Sequence, residues 1–211
     1  MRTETITHIF KTFSELTEEN QLKIVERNRD KEVCYEDWCE RVLADATEVG
    51  ECMGIDIQEI QYSGFWSQGD GARFRGFFKP KSNMREALRE YAPVDEELHG
   101  IADRLAAVQE DYCWLVECEI AFEHWGHYVH DNNTRFEFEP IGIDQNGDEV
   151  WMKESDEQEV KDALRRLMRW IYRALEKEYE YLTGDEHLLE YFRDEDDDYE
   201  VLIEDGEEIL V

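Results

Sequence analysis

The stretch Ser63-Gly64-Phe65-Trp66-Ser67-Gln68-Gly69-Asp70-Gly71-Ala72, followed by Arg73-Phe74-Arg75-Gly76-Phe77-Phe78, decides how the rest of the chain is read. One alternating run, Ile55 to Tyr62, enters it, and a second, Ala72 to Phe78, leaves it and closes on Pro80. Alternation with period two is the pattern of strands with one buried face, so the segment between them reads as the turn region of a hairpin. Glycines at 64, 69, 71 and 76 let the backbone take positive φ or come close to another chain or ligand.

Outward from this hairpin, the flanking segments read mostly as helix. Thr17 is the expected N-cap of a helix that ends near Arg29, with Glu18 and Glu19 in the first turn where the helix dipole favours acids. Trp38, Val42, Ala46 and Val49 recur at three- and four-residue steps, predicting a helix from about Tyr35 to Cys52 that stops at Gly54. Two helices are expected over Ser82–Tyr91 and Val94–Gln109, then a second antiparallel pair over 112–123 and 134–141. Ser155 and Gln158 match a capping box at the start of the longest helix, which stops at Gly184, and a short helix runs from Asp185 to about Arg193. A first strand is expected over 4–10. Val201-Leu202-Ile203 and Ile209-Leu210-Val211 flank Asp205-Gly206, which allows a small hairpin in the tail. The expected fold is α+β: one domain over 1–193, with an antiparallel sheet from the two hairpin regions, the first strand a candidate member of it, packed by helices, and an acidic C-terminal tail over 194–211.

Composition narrows the classes of function. Asp and Glu number 54 against 23 Lys and Arg, a formal charge of −31. Such a field repels nucleic acid and anionic membranes and attracts basic surfaces over a range that salt shortens. Six Trp, ten Tyr and ten Phe give far more bulky apolar surface than a disordered chain carries, so a folded body with an acidic skin is expected. No segment approaches the roughly 20 consecutive apolar residues of a membrane span, and Met1-Arg2-Thr3-Glu4-Thr5 lacks the apolar core of a signal peptide, so the host cytoplasm is the expected compartment. The five cysteines form no CxxC pair and read as reduced thiols.

A start of the form Phe13-Ser14-Glu15-Leu16 before an acidic helix, a Tyr35-Glu36-Asp37-Trp38 opening, the loop from Tyr62 to Gly71, and Glu178-Tyr179-Glu180-Tyr181-Leu182-Thr183 resemble a family. Its members are small proteins of phage and other mobile or bacterial genomes, labelled "antitoxin of toxin–antitoxin stability system". The resemblance spans roughly residues 5 to 205, and the loop is its most specific part. It implies a phage or mobile-element setting and a neutralising role, and it brings no catalytic residues.

Three readings of the loop stand side by side: a structural turn packing Phe65 and Trp66, a partner contact, and a small-molecule site watched by Gln68 and Asp70 with Ser67 and Gly69 between them. It matches neither a Walker nor a Rossmann pattern. His124, His127 and His130, with Asp131 beside them, invite a metal reading, but positions three apart in an extended chain face opposite sides, so polar loop histidines are preferred and no metal or cofactor is expected.

The charge itself offers the sharpest functional reading. Glu36, Asp37, Glu40, Asp45, Glu48 and Glu51 share the outer face of the second helix. Asp194, Glu195, Asp196, Asp197 and Asp198 open a C-terminal stretch with ten acids and no Lys or Arg. Carboxylates three and four apart on a helix lie about 5–6 Å from one another, near the spacing of phosphates along a strand, so these faces can imitate a DNA backbone. The competing explanations are solubility and salt adaptation. The expectation is a non-enzymatic, acidic, antitoxin-like inhibitor, an anti-defence protein that blocks a basic host or defence protein that binds nucleic acid, while itself binding neither nucleic acid nor membrane. The alternative is a ligand-binding protein or enzyme using loop 63–71.

Overall fold

The computed structural model describes residues 7–123, 129–195, 197–204 and 207–211. In chain order its elements are β1 (Thr7–Thr12), α1 (Glu18–Arg27), α2 (Glu40–Met53), β2 (Ile55–Tyr62), β3 (Ala72–Phe78), α3 (Met84–Tyr91), α4 (Glu96–Asp111), β4 (Cys118–Phe122), β5 (Thr134–Phe138), β6 (Gly142–Ile143), β7 (Glu149–Val150), α5 (Glu154–Leu182), α6 (Asp185–Glu195), β8 (Asp198–Glu204) and β9 (Glu207–Leu210). The fold is α+β, with antiparallel sheets and helices. Contacts divide it into two compact units, Cys39–Glu176 and Met1–Trp38 with Lys177–Val211.

The larger unit is built on a four-stranded antiparallel meander, β2-β3-β4-β5. The alternation along β3 sets its two faces: Ala72, Phe74, Gly76 and Phe78 are buried, while Arg75 and Phe77 are exposed. Register carries this to the neighbours, with Ile55 opposite Phe78 on one side and Cys118 opposite it on the other. A bulge between Ile57 and Glu59 interrupts β2, an edge strand, which discourages pairing with another chain. Gly76 lies across from it, and a Cβ there would fall 1.8 Å from the Asp56 carbonyl oxygen. Only glycine fits where the strands approach so closely.

Helices cover the buried face. Val49 and Met53 of α2, Met84 and Leu88 of α3, Leu98, Ile101 and Leu105 of α4, and Val160, Leu164, Leu167 and Ile171 of α5 are all fully or almost fully buried. Each such side chain contributes about 1.5–3 kcal/mol of transfer free energy. The expected stop at Gly54 is present: it takes φ 80° as the αL cap of α2, and its N–H donates to the Glu51 and Gly50 carbonyls. The helix begins later than periodicity suggested, because Glu36–Cys39 forms a 3₁₀ turn first.

The strand expected over 112–123 shrinks to β4. Residues 112–115 instead make a tight turn in which Cys113 and Trp114 have φ 55° and 63° and the Leu115 N–H donates to the Tyr112 carbonyl. The buried Gln109 amide holds it, donating to the Val116 carbonyl and accepting from the Val116 N–H as a strand partner would. Around 144–148 a turn is flanked by the short pair β6–β7.

The smaller unit has its own sheet, β1-β8-β9. The first strand therefore pairs with the C-terminal segment and not with the hairpins: Ile9 lies opposite Val201 and Lys11 opposite Tyr199. Residues 198–204 and 207–210 of the acidic stretch are strands of this sheet. Phe13, Leu16, Ile24, Val25, Leu188, Phe192 and Val201 form its core. Thr17 caps α1 as its sequence predicts, its hydroxyl accepting from the Asn20 N–H. No helix among the described residues is long and apolar enough to cross a membrane.

Candidate functional site

The hairpin between β2 and β3 closes with Ser63 and Gly71. The Ser63 N–H donates to the Gly71 carbonyl at 3.0 Å, and the Gly71 N–H donates back to the Ser63 hydroxyl at 3.0 Å. Between them the tip is folded around Asp70. Its Oδ2 accepts from the Trp66 N–H at 3.1 Å and the Ser67 N–H at 2.6 Å, while the Asp70 N–H donates to the Ser67 carbonyl. Gly69 supplies the positive φ, 97°, that the reversal requires. The backbone donors at 66, 67, 70 and 71 are thus already used inside the loop, so these N–H groups do not form an open nest for an anion.

The loop is seated from two sides. Phe65 is half-buried between Tyr172 of α5, with ring centroids 5.5 Å apart, and Tyr62, stacked at 6.5 Å. The Tyr172 hydroxyl donates to the Gly64 carbonyl at 3.0 Å, and burial, with the Glu176 and Asp70 charges, raises its pKa. On the other side, the Ser63 hydroxyl donates to the Val129 carbonyl, and Gly71 packs so closely on His130 that a Cβ would meet His130 Cβ at 2.6 Å.

Residues 129–133 are pinned in turn. Asp131 is buried and its Oδ2 accepts from Arg169 Nη1 of α5 at 2.5 Å. The Asn132 N–H donates to His130 Nδ1. Arg73 of β3 reaches the same segment, donating to the Asn133 carbonyl at 3.0 Å and through Nε and Nη2 to Gln61. Its guanidinium lies over Phe122, 4.5 Å from the ring centroid, and desolvation lowers its pKa against the pull of Glu59.

The result is a stiff tip with one large side chain held outward: Trp66 is 76% exposed. Ser67 and Gln68 are also exposed. Gln68 and Gly69 line an open cleft of about 430 Å³ with His130 and Asn133. The structure therefore gathers Phe65, Trp66, Ser67, Gln68, Gly69 and Asp70 in one loop but divides their work: Asp70 and Phe65 are inner fasteners, while Trp66, Ser67 and Gln68 face solvent. Arg169, Tyr172 and Asn133 were not singled out by sequence, because nothing in a helical or strand pattern marks which polar residue meets a loop 38 or 108 residues away.

On α2, Glu40, Asp45, Glu48 and Glu51 are exposed along one side. Asp45 accepts from the Tyr91 hydroxyl at 2.6 Å, and this bond, with burial, pushes the phenol up to about 12. In the smaller unit Asp37, Asp194, Glu195, Asp197 and Asp198 are exposed. The Glu36 side chain, Asp196, His124 and His127 lie outside the described residues. Among the described residues, no three His, Cys, Asp or Glu are arranged to hold a metal ion. Cys118 is buried at the sheet, and desolvation pushes its thiol up to about 12, which keeps it protonated.

Comparison with known families gives one assignment. Residues 38–185 match the family model described as "Domain of unknown function (DUF8835)", more than half of the chain, and the protein belongs to that family. No curated protein and no solved structure matches it.

Proposed function

We propose that this member of the DUF8835 family is a non-enzymatic, antitoxin-like inhibitor of a phage or mobile element that binds and blocks a basic, nucleic-acid-handling protein. Its exposed carboxylates stand in for a nucleic-acid backbone, and the tip of the β2–β3 loop anchors the contact. The observation that carries this reading is Trp66, 76% exposed on a loop whose own bonds hold it. A large aromatic whose backbone is already ordered loses less entropy on docking, and tryptophan is among the residues enriched at interface hot spots. Around it, a net charge of −31 steers basic partners and repels nucleic acid.

The test is capture from host lysate with the full chain at low salt and at about 0.5 M, where the Debye length shrinks to a few Å. A nucleic-acid-binding protein held at low salt, released at high salt and displaced by DNA is the expected result. With that protein purified, Trp66→Ala weakens binding about tenfold or more, since 1.4 kcal/mol is a factor of ten. Capture of no basic protein at either salt sinks the reading.

A second reading rests on the cleft beside the loop. Its volume of about 430 Å³ suits a small ligand, and Gln68, His130 and Asn133 bring polar groups to it. On that reading Gln68→Ala abolishes ligand binding while the fold survives, and reversal of the α2 acids has no effect.

A further inference from the structure

In the smaller unit, α6 has two unlike sides. Leu188 and Phe192 enter the core. His187, Glu190, Tyr191, Asp194 and Glu195, spaced at one helical face, instead line an open cavity of about 360 Å³ with Tyr181. Three aromatic rings and three carboxylates thus share one concavity. The His187 and Tyr181 rings pack with centroids 4.5 Å apart, and His187 is fixed from behind by Glu32, 2.5 Å away. Tyr181 is 59% exposed. The Tyr191 hydroxyl donates to Glu195 at 2.6 Å.

Two of the residues lining this cavity, Tyr191 and Glu195, already hold a cation. The Lys31 ammonium lies 4.8 Å from the Tyr191 ring centroid and 5.1 Å from that of Phe192, and it pairs with Glu195. Desolvation alone would lower its pKa, but the Glu195 and Tyr191 bonds outweigh that and raise it. The chain therefore satisfies one alkylammonium here with ring faces and a carboxylate. The other two acids, Glu190 and Asp194, have no hydrogen-bond or ion-pair partner among the described residues. A second cation entering beside Tyr181 meets the same chemistry unspent.

We propose that this cavity receives the cationic end of a lysine or arginine side chain from a basic protein segment, with Tyr181 and Tyr191 offering ring faces and Glu190 and Asp194 the carboxylates. The identity of the occupant rests on the reading of the chain as a binder of basic proteins; the site is distinct from the Trp66 loop. A cation within about 6 Å of a ring face is drawn to the ring's quadrupole, and guanidinium groups stack on rings more readily than ammonium.

The probes are an octapeptide alternating arginine with glycine, its lysine counterpart, and a citrulline version that keeps shape without charge. Each is titrated calorimetrically into the full-length protein at fixed salt. Wild type binds the two cationic peptides and not the citrulline one. Tyr181→Ala, and separately Glu190→Gln with Asp194→Asn, each weaken binding about tenfold. These side chains are exposed, so the fold survives their replacement. The control removes two charges elsewhere, Glu139→Gln with Glu149→Gln, both exposed and outside the acidic faces assigned to partner binding, and changes affinity less than about threefold.

Equal losses from the control pair and the cavity pair, with Tyr181→Ala silent, overturn the cavity as a site. Wild type that captures a basic host protein but binds neither cationic peptide overturns it too, and leaves the functional reading standing. Peptide binding that depends on the cavity, without capture of any nucleic-acid-handling protein, upholds the cavity and counts against that reading.

Discussion

Asp70→Ala separates a structural carboxylate from a chemical one. In the loop, Asp70 Oδ2 accepts two backbone N–H groups, Trp66 at 3.1 Å and Ser67 at 2.6 Å. A hydrogen bond to a charged acceptor contributes about 1.5–3 kcal/mol where water is excluded. Asp70 is half-buried, and Trp66 and Ser67 lie in solvent, so water replaces much of what the carboxylate supplied. The expected loss is about 1–2 kcal/mol in total, or about 3–6 °C in the melting temperature of a chain this size. Hydrogen exchange at the Trp66 and Ser67 amides rises, and on the proposed reading affinity for a basic partner falls about tenfold because the backbone that carries the indole is no longer held. Asp70→Asn keeps an acceptor and recovers part of the stability. Unchanged exchange at both amides together with unchanged stability would refute the assignment, since the two bonds would then contribute nothing. Loss of a catalytic activity without loss of amide protection would place Asp70 in chemistry instead.

Two glycines bracket what the packing tolerates: Gly76→Ala, whose Cβ would sit 1.8 Å from a backbone oxygen, destabilises by about 3 kcal/mol or more, whereas Gly100→Ala, in α4 with nothing within 4 Å, stabilises by about 0.5–1 kcal/mol; urea midpoints read both. The Tyr112 hydroxyl, bonded to Asp156 at 2.5 Å, together with Ser155 and Lys153, holds that carboxyl below its ordinary 3.8. A folded pKa below the unfolded one contributes stability above the unfolded value that is lost as pH falls through the folded one. The stability gap between wild type and Tyr112→Phe is therefore largest above about pH 5 and narrows as pH falls below 3.8, down to the part left by the Lys153 N–H bond to the same hydroxyl; a gap that does not narrow contradicts this. The Tyr91 phenol titrates near 12, and Asp45→Asn returns it toward the ordinary 10, read by NMR of labelled tyrosine.

The hairpin at β2–β3 was legible because both strands alternate at period two over seven or eight residues and the turn is rich in glycine. Gly54 was legible as a cap for the same local reason. The partner of β1 was not, because Thr7–Thr12 pairs with a strand almost two hundred residues away, and nothing in either segment names the other. The false strand start at Tyr112 has a different cause. Tyr112-Cys113-Trp114-Leu115-Val116 carries strand-like residues, while the turn is imposed by the Gln109 amide mimicking a neighbouring strand. At the site, adjacency alone puts the loop residues together, but their division into fasteners and exposed contacts depends on which N–H groups Asp70 takes, which is geometry and not composition.

The acid excess needs an explanation that stability does not provide. Several cations tie neighbouring elements together: Arg173 of α5 to Glu97 of α4, Arg104 of α4 to Glu159 of α5, and Arg85 of α3 to Asp103 and Glu110 of α4. Exposed pairs of this kind contribute about 0–1 kcal/mol each. Glu40, Glu48 and Glu51 have no such partner among the described residues, and like charges at helical spacing repel. Acids that relieve no strain and close no ion pair are retained at a cost to the fold. Solubility would be met by charge spread anywhere on the surface. The chain instead sets unpaired acids along one face of α2, and it sets a further group beside aromatic rings on α6, where a cation is already seated. On the proposed reading the charge field steers a partner without choosing it, and the ring faces and the Trp66 indole, carried on a bonded backbone, supply the choice. That pairing of diffuse acid with a few fixed aromatics is what a binder of basic proteins requires.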